Sequence, residues 1–370
     1  MEITEGSTKI LVPEKSLKDK VPPKVPAFFN PVAVLSRDFS ILAYSAFWEN
    51  FDKPLVFLDG LTGIGARSLR VAKEIPNVEK VIANDINSEA LKIAQNSADL
   101  NKISNFEVSE NETCHFFSTY SKKEKRGSIV DVDPFGSPVK YFDCAIRATM
   151  HNGLLSVTAT DLQVLHGLAK NACKRKYHGT PIKTEYSNEI AIRLILGCLD
   201  IVARRLDVQI IPQFVENNMH YYRVYVKILN RIDQDEHQGY ITHCRSCGNR
   251  NCVTSQKKIC ETCNSQLEIA GPLWVDQLFN KKFIIDMIHQ IPKLVVRKKC
   301  MSILEKCTLE AEMPPTYYTL DEIASKMQSA PLKMKNAIKI LQDEGFLASP
   351  TSLNPTGFRT DCRIDKIIKF

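Results

Sequence analysis

From Leu55 to Asp161 the chain alternates short apolar β runs with helical segments, and this alternation leaves it few folds. LVFLDG (55–60), VEKVIANDI (78–86), NFEVSEN (105–111), SIVDVD (128–133) and GLLSVTATD (153–161) read as strands. Ala66 to Glu74, Ser88 to Leu100 and Val139 to Met150 read as helices, with Ser88 as the N-cap of its helix. Strands joined by helices of this length imply a parallel sheet covered on both faces. An amphipathic helix, Glu189 to Arg205, leads to a terminal antiparallel pair split by Asn217 and Asn218. Ahead of the alternation, Phe39, Ile41, Leu42, Tyr44 and Phe47 mark a helix over 37–48. Residues 1–27, polar and carrying Pro13, Pro22, Pro23 and Pro26, read as an extended arm.

At 370 residues the chain has room for two or three domains, each with its own core. No run approaches the roughly 18 apolar residues that a membrane span needs. The N-terminus lacks the apolar region of a signal peptide and the Arg-rich character of a transit peptide, which predicts a cytoplasmic protein. In that compartment most of the 12 cysteines are expected reduced, and a tight cluster reads as a metal site. A net charge of +7 permits a polyanion partner without requiring one. Nothing in the chain implies an obligatory protein partner.

The strand SIVDVD ends on Asp133, and Pro134 and Phe135 follow at once. Ligands of open α/β sheets bind at the carboxyl ends of the strands. Here a carboxylate, a stiffened backbone and an aromatic ring meet at one such end. That set suits chemistry on the amino group of a flat nucleobase, held by acceptors and stacked on the ring. A turn that merely caps a buried strand fits the tetrapeptide equally well, so the rest of the chain must decide.

DGLTGIGARS (59–68) lies between a strand and a helix, and Gly60, Gly63 and Gly65 let its backbone approach a ligand closely. Asp85 ends the next strand, where an acid takes the ribose hydroxyls of a nucleotide-like cofactor. The spacing is Gly-x-x-Gly-x-Gly, not the Gly-x-Gly-x-x-Gly of dinucleotide sites. Hydride transfer also gives a strand-end Asp-Pro-Phe nothing to do. Both features favour S-adenosylmethionine over NAD.

Cys244-x-x-Cys247 and Cys260-x-x-Cys263, twelve residues apart, have the spacing of a four-thiolate zinc site, with Cys252 or, more distantly, His243 as possible substitutes. Arg245, Arg250, Lys257 and Lys258 around them suggest a basic, RNA-facing module. The stretch Lys170 to Lys183 interleaves Lys174, Arg175 and Lys176 with Tyr177 and His178, a pattern suited to phosphate contact. Arg231 to Gly239 marks a domain boundary. Beyond it, TLDEIASKM (319–327), LKMKNAIKILQDEGF (332–346) and a polar tail resemble a winged helix. Leu332, Met334, Ile338 and Leu341 would then lie on its nucleic-acid-facing helix; a packing module is the competing reading.

These residues together resemble the tRNA guanine-N2 dimethyltransferase family over nearly the whole chain. The resemblance rests on FFNPVAVLSRDFS, DGLTGIGARSLR, NDINSEAL, DVDPFGSP and ACKRKYHGTPIKTEYSNE. It implies a Rossmann-like class I methyltransferase sheet over residues 28–232, behind the 1–27 arm. A tRNA-binding α+β domain would follow over 233–370, with a zinc module (240–270) and a winged-helix-like region (275–370). The implied activity is transfer of methyl groups from S-adenosylmethionine to the 2-amino group of a guanine in tRNA, usually at position 26, applied twice. On this resemblance Arg37, Arg67 and Asp85 contact the cofactor, and Glu112 and Thr113 stand where the family has an Asp and a small residue near the adenine. Asp133 is catalytic, with the Pro134 carbonyl as a second acceptor, and Phe28 and Phe135 sandwich the guanine. Two other readings compete: a DNA amino-methyltransferase, and a non-catalytic zinc and winged-helix nucleic-acid-binding protein.

Overall fold

The computed structural model describes residues 1–19, 27–218, 220–231 and 236–369. In chain order its N-terminal half comprises β1 (Glu2–Glu5), β2 (Thr8–Leu11), α1 (Lys15–Lys18), α2 (Val34–Glu49), β3 (Leu55–Asp59), α3 (Ala66–Glu74), β4 (Val78–Asp85), α4 (Ser88–Leu100), β5 (Phe106–Glu110) and α5 (Thr113–Thr119). Then come β6 (Gly127–Val132), α6 (Phe142–Ala148), β7 (Thr149–Ala159), α7 (Leu162–Leu165), α8 (Lys170–Tyr177), α9 (Ser187–Arg204), β8 (Gln209–Asn218) and β9 (Tyr221–Leu229). Seven of these strands form one sheet in the order β5-β4-β3-β6-β7-β9-β8. β5 through β7 run parallel, and β9 and β8 close the far edge antiparallel. The strand order reverses between β3 and β6, and open α/β sheets bind ligands at such a switch point. Asp59, Asp85 and Asp133 all sit at strand ends on that rim.

The second half comprises β10 (Gln238–Cys244), β11 (Arg250–Val253), β12 (Leu267–Trp274), α10 (Lys281–Gln290), α11 (Lys299–Glu310), β13 (Tyr318–Thr319), α12 (Leu320–Met327), α13 (Met334–Asp343), β14 (Ala348–Pro350), β15 (Gly357–Thr360) and α14 (Ile364–Ile367). β11-β10-β12 and β13-β15-β14 are separate three-stranded sheets. One apolar core runs from the large sheet through Ile241, Leu273, Trp274, Phe283 and Ile284 to Leu304. The region 236–311 therefore packs directly on the α/β half. A second core, with Tyr318, Leu341, Phe358 and Ile364, belongs to the C-terminal helices and wing.

Several expectations are corrected. The N-terminal arm is a β-hairpin, because Ile10 and Val12 are buried and Thr8 and Leu11 bond to Glu74 and Ser97 on the covering helices. Its Pro22, Pro23 and Pro26 lie outside the described residues, as do residues 232–235 of the boundary stretch. Asn87, not Ser88, caps α4, its side chain accepting from the Glu89 and Ala90 amides. The helix expected over 139–150 is a 3-10 turn, Val139–Tyr141, followed by α6; β-branched Thr149 already pairs with Gly127 in the sheet. The basic 170–183 segment is largely the helix α8. α13 starts at Met334, so Leu332 precedes the helix, and Ile338 and Leu341 pack into the C-terminal core. Arg250 is buried, stacked on Tyr186 and Tyr318 and paired with Glu322, and does not present charge to a ligand. Cys114 and Cys144 form a disulfide between α5 and α6, an exception to the expected reduced state.

Candidate active site

A cavity of about 510 Å³ opens on the rim of the large sheet. This is the size range of a small-molecule or cofactor site. Its walls include Phe28, Arg37, Gly63, Arg67, Asp85, Asp133, Pro134 and Phe135, so most of the expected site residues meet in one space. Glu112 and Thr113 do not line it: the Glu112 carboxylate caps α5 by accepting from the Cys114 and His115 amides, and Thr113 donates to the Gly60 carbonyl.

The β3–α3 loop is shaped by Gly63 and Gly65, both left-handed, with φ of +55° and +77°. A Cβ on Gly65 would stand 2.9 Å from the Ala94 Cβ, so the third glycine lets the start of α3 pack closely on α4. A Cβ on Gly63 would meet only the Phe28 carbonyl, at 3.7 Å, which leaves its backbone bare toward the cavity. Asp85 accepts from the Gly63 amide at 2.8 Å and from the Asn87 amide at 2.9 Å. It thus fixes the glycine loop and stays at the cavity wall, where a carboxylate oxygen retains capacity for further donors.

Asp133 stands on a buried ionic network. Arg67 reaches it with Nη2 at 2.8 Å, while Arg67 Nη1 lies 3.1 Å from Asp131 Oδ2. Asp131 is fully buried, and the same oxygen accepts from Tyr44 and from Arg223 Nη2. Arg223 also donates to Thr158, whose hydroxyl bonds to Asp133. Burial by itself raises the Asp133 pKa; Arg67 and Arg223 outweigh it and hold the carboxyl below its ordinary range. The side chain keeps 30% of its surface open, so an ionised acceptor faces the cavity.

Phe28 and Phe135 meet edge to face, with centroids 4.8 Å apart and planes at 81°. A base between two parallel rings needs about 7 Å, twice the ~3.5 Å contact distance. The two rings as they stand leave no gap of that width between them.

The chain is similar to known proteins along nearly its whole length. The model of the family described as N2,N2-dimethylguanosine tRNA methyltransferase matches residues 6–370. The chain belongs to this family. It is 33% identical over 377 residues, 99% of this chain and 95% of the relative, to the tRNA (guanine(26)-N(2))-dimethyltransferase of Methanobrevibacter smithii. It is 30% identical, over all of this chain and 95% of the relative, to the tRNA (guanine(26)-N(2)/guanine(27)-N(2))-dimethyltransferase of Aquifex aeolicus. The structure of Trm1 from Pyrococcus horikoshii with S-adenosyl-L-methionine superposes with a TM-score of 0.86 at 26% identity, covering all of this chain and 99% of that one.

Other members of the site were missed in the sequence. Glu5 in β1 takes Arg37 in a two-pronged bond, Oε2 to Nε and Oε1 to Nη2, both at 2.6 Å. Arg37 Nη2 also donates to the Asn30 carbonyl, and among the described residues no hydrogen-bond partner is found for Nη1 of this cavity-lining side chain. Asp131 and Arg223 did leave a signal: opposite charges within two strongly apolar strand runs. Register brings them together. Asp131 neighbours Ser156, Ser156 neighbours Tyr225, and Thr158 pairs with Arg223.

Away from this rim, the Sγ atoms of Cys244, Cys247, Cys260 and Cys263 all lie within 4.8 Å of one another, the one such metal-capable group found among the described residues. Cys252 points instead at the Val275 carbonyl, and His243 Nδ1 bonds to the Tyr186 hydroxyl. Neither substitutes for a ligand. No helix among the described residues is long and apolar enough to cross a membrane.

Proposed function

We propose that this chain is an S-adenosylmethionine-dependent tRNA (guanine-N2)-dimethyltransferase acting at position 26. The observation that carries this reading is an ionised Asp133 at the floor of the cavity that also holds the bare Gly63 backbone and Asp85. Those residues suit the cofactor: Asp85 is placed for ribose hydroxyls, the bare Gly63 backbone for close approach, and Arg37 Nη1 for a carboxylate; Gly60 and Gly65 pack against Phe117 and Ala94 and shape the turn from behind. Arg67 supports the site through Asp133, and Glu112 and Thr113 stand behind the adenine end. S-adenosylmethionine, when bound, supplies an electrophilic methyl group.

The 2-amino group of guanine is a weak nucleophile because its lone pair is delocalised into the ring. The Asp133 carboxylate and the Pro134 carbonyl accept its hydrogens and draw the lone pair onto nitrogen. Positive charge grows on that nitrogen during transfer, and a fixed carboxylate stabilises it. Arg67 and Arg223 keep Asp133 ionised before the base arrives, so the stabilising negative charge is already in place when the nitrogen becomes positive. Proton loss then goes to Asp133 or to water. Phe28 and Phe135 stack on the extruded base, each contributing about 1–3 kcal/mol against the cost of unstacking. The same amine remains in place after one methyl, which permits a second round.

The four cysteines suit structural zinc. Thiolates at the usual ~2.3 Å from zinc form a tetrahedron with edges near 3.8 Å, close to the 3.4 Å Cys244–Cys263 and 3.6 Å Cys247–Cys260 separations. The Thr262 amide donates to the Cys260 sulfur at 3.4 Å, as thiolate ligands require. Functionally the chain divides into a catalytic portion, 28–232, and a tRNA-binding portion, 233–370, in a cytoplasmic enzyme. Mass spectrometry of nucleosides from a tRNA incubated with protein and cofactor tests this reading. N2,N2-dimethylguanosine at position 26 is expected; methylation of another atom, or none, contradicts it.

A further inference from the structure

The helix α8 carries Lys170, Lys174, Arg175 and Lys176 in eight residues and no acid. Lys170, Lys174 and Arg175 are exposed and make no ion pair among the described residues. The helix ends on Tyr177, which is buried. Its hydroxyl donates to Asp161 Oδ1 at 2.6 Å and accepts from the Ser137 hydroxyl at 3.0 Å. Lys176 reaches the other Asp161 oxygen at 3.2 Å. Next to Asp161, Thr160 donates its amide to the Gly136 carbonyl at 2.9 Å, and its hydroxyl takes the Gly136 amide at 2.6 Å. Gly136 and Ser137 directly follow Asp133-Pro134-Phe135. A basic helix is therefore bonded, through one buried phenol, to the turn that carries the amine acceptor and one wall of the base slot.

We propose that the outer face of α8 is a docking surface for backbone phosphates of the tRNA, and that Tyr177 is a positioning residue linking it to the catalytic turn. Phosphate bound at Lys170, Lys174 and Arg175 holds the helix. Tyr177, Asp161 and Thr160 then hold Gly136 and Ser137, which fixes Phe135 and aims Asp133. The close Phe28–Phe135 contact makes this matter, because one ring must keep its place when a base enters between them. The two functions separate along the helix: its charges set affinity, and its terminal hydroxyl sets the rate of the chemical step.

The proposal rests on the tRNA reading above, and its test is single-turnover methylation of tRNA by the full chain, with tRNA and cofactor affinities measured separately. K174A/R175A is expected to weaken tRNA binding and flatten its salt dependence, since each lost phosphate contact lowers the slope by nearly one. Tyr177→Phe removes only the hydroxyl. It is expected to leave both affinities within about twofold while slowing the single turnover about tenfold, the scale of a small misplacement of reacting groups. Ser137→Ala breaks the same bond from the turn and is expected to match it, which covers the case in which Tyr177→Phe does not fold. Wild-type rates in the variants that fold, or a loss wholly explained by weaker cofactor binding, would overturn the link. Wild-type protein that leaves tRNA guanine unmethylated defeats the tRNA reading itself; methylation with unaffected variants defeats only this proposal.

Discussion

Arg67 joins Asp133 to Asp131, with Nη2 2.8 Å from the first carboxylate and Nη1 3.1 Å from the second. The acceptor at the cavity floor thus shares a cation with a fully buried acid, and Arg223 balances that second charge from β9. Asp133 is accordingly held ionised, with 30% of its side-chain surface open.

Asp133→Asn preserves the shape of the side chain and removes its charge. The expected result is a loss of about 10²–10³-fold in single-turnover rate, the scale seen when one preorganised electrostatic partner is deleted. Cofactor affinity and the far-ultraviolet circular dichroism spectrum should stay near wild type. A variant with near-normal turnover would remove Asp133 from the mechanism.

Arg223→Met leaves Asp131 short of a buried partner. Breaking one side of a buried pair typically destabilises by about 3–5 kcal/mol, and denaturant titration should read a loss on that scale. A loss under 1 kcal/mol would show that the network is dispensable.

Two carboxyls, the half-buried Asp133 and the buried Glu216, have opposite pH behaviour. Asp133 is depressed in the folded state, so its contribution is present above about pH 4 and lost as pH falls through its lower folded value. Glu216 is raised to about 7, by burial first, against Arg223 and the Tyr221 and Tyr225 hydroxyls. Its contribution is fully present below about pH 4.3 and lost as pH rises through 7. Glu216→Gln should therefore lose up to about 3 kcal/mol less stability than wild type between pH 5 and 8. Parallel pH–stability curves for the two proteins would contradict this assignment.

Zinc analysis of purified protein should give one ion per chain, and Cys260→Ser should lose it. Structural zinc contributes folding energy directly. Removal by a chelator should lower the melting temperature and weaken tRNA binding, while cofactor affinity measured by calorimetry stays close to normal. A metal-free wild type of unchanged stability would assign the cysteines to another role.

The parallel sheet was legible because its strands are apolar on both faces and its helices keep their period; Ala66–Glu74 and Ser88–Leu100 fell where expected. That Asp133, Asp85 and Gly63 would meet at one rim was legible because strand-end positions follow from topology alone. Glu5 was not, since its partner Arg37 lies 32 residues on and pairs with it only when the N-terminal hairpin folds back. The packing partner of α13 was not legible for a related reason. An apolar stripe reports burial without saying against what, and here it faces the wing. Arg250 shows the same limit for charge: its sequence neighbourhood looks like a basic surface, yet Glu322, 72 residues away, takes it inside.

The central claim is tested most directly by one paired measurement. A tRNA transcript carrying guanine at position 26 is incubated with cofactor and either wild type or Asp133→Asn, and its nucleosides are resolved by mass spectrometry. The account predicts N2,N2-dimethylguanosine from the wild type and at most a trace of N2-methylated product from the variant. Equal yields from the two proteins, or methyl groups on an atom other than N2, would contradict it.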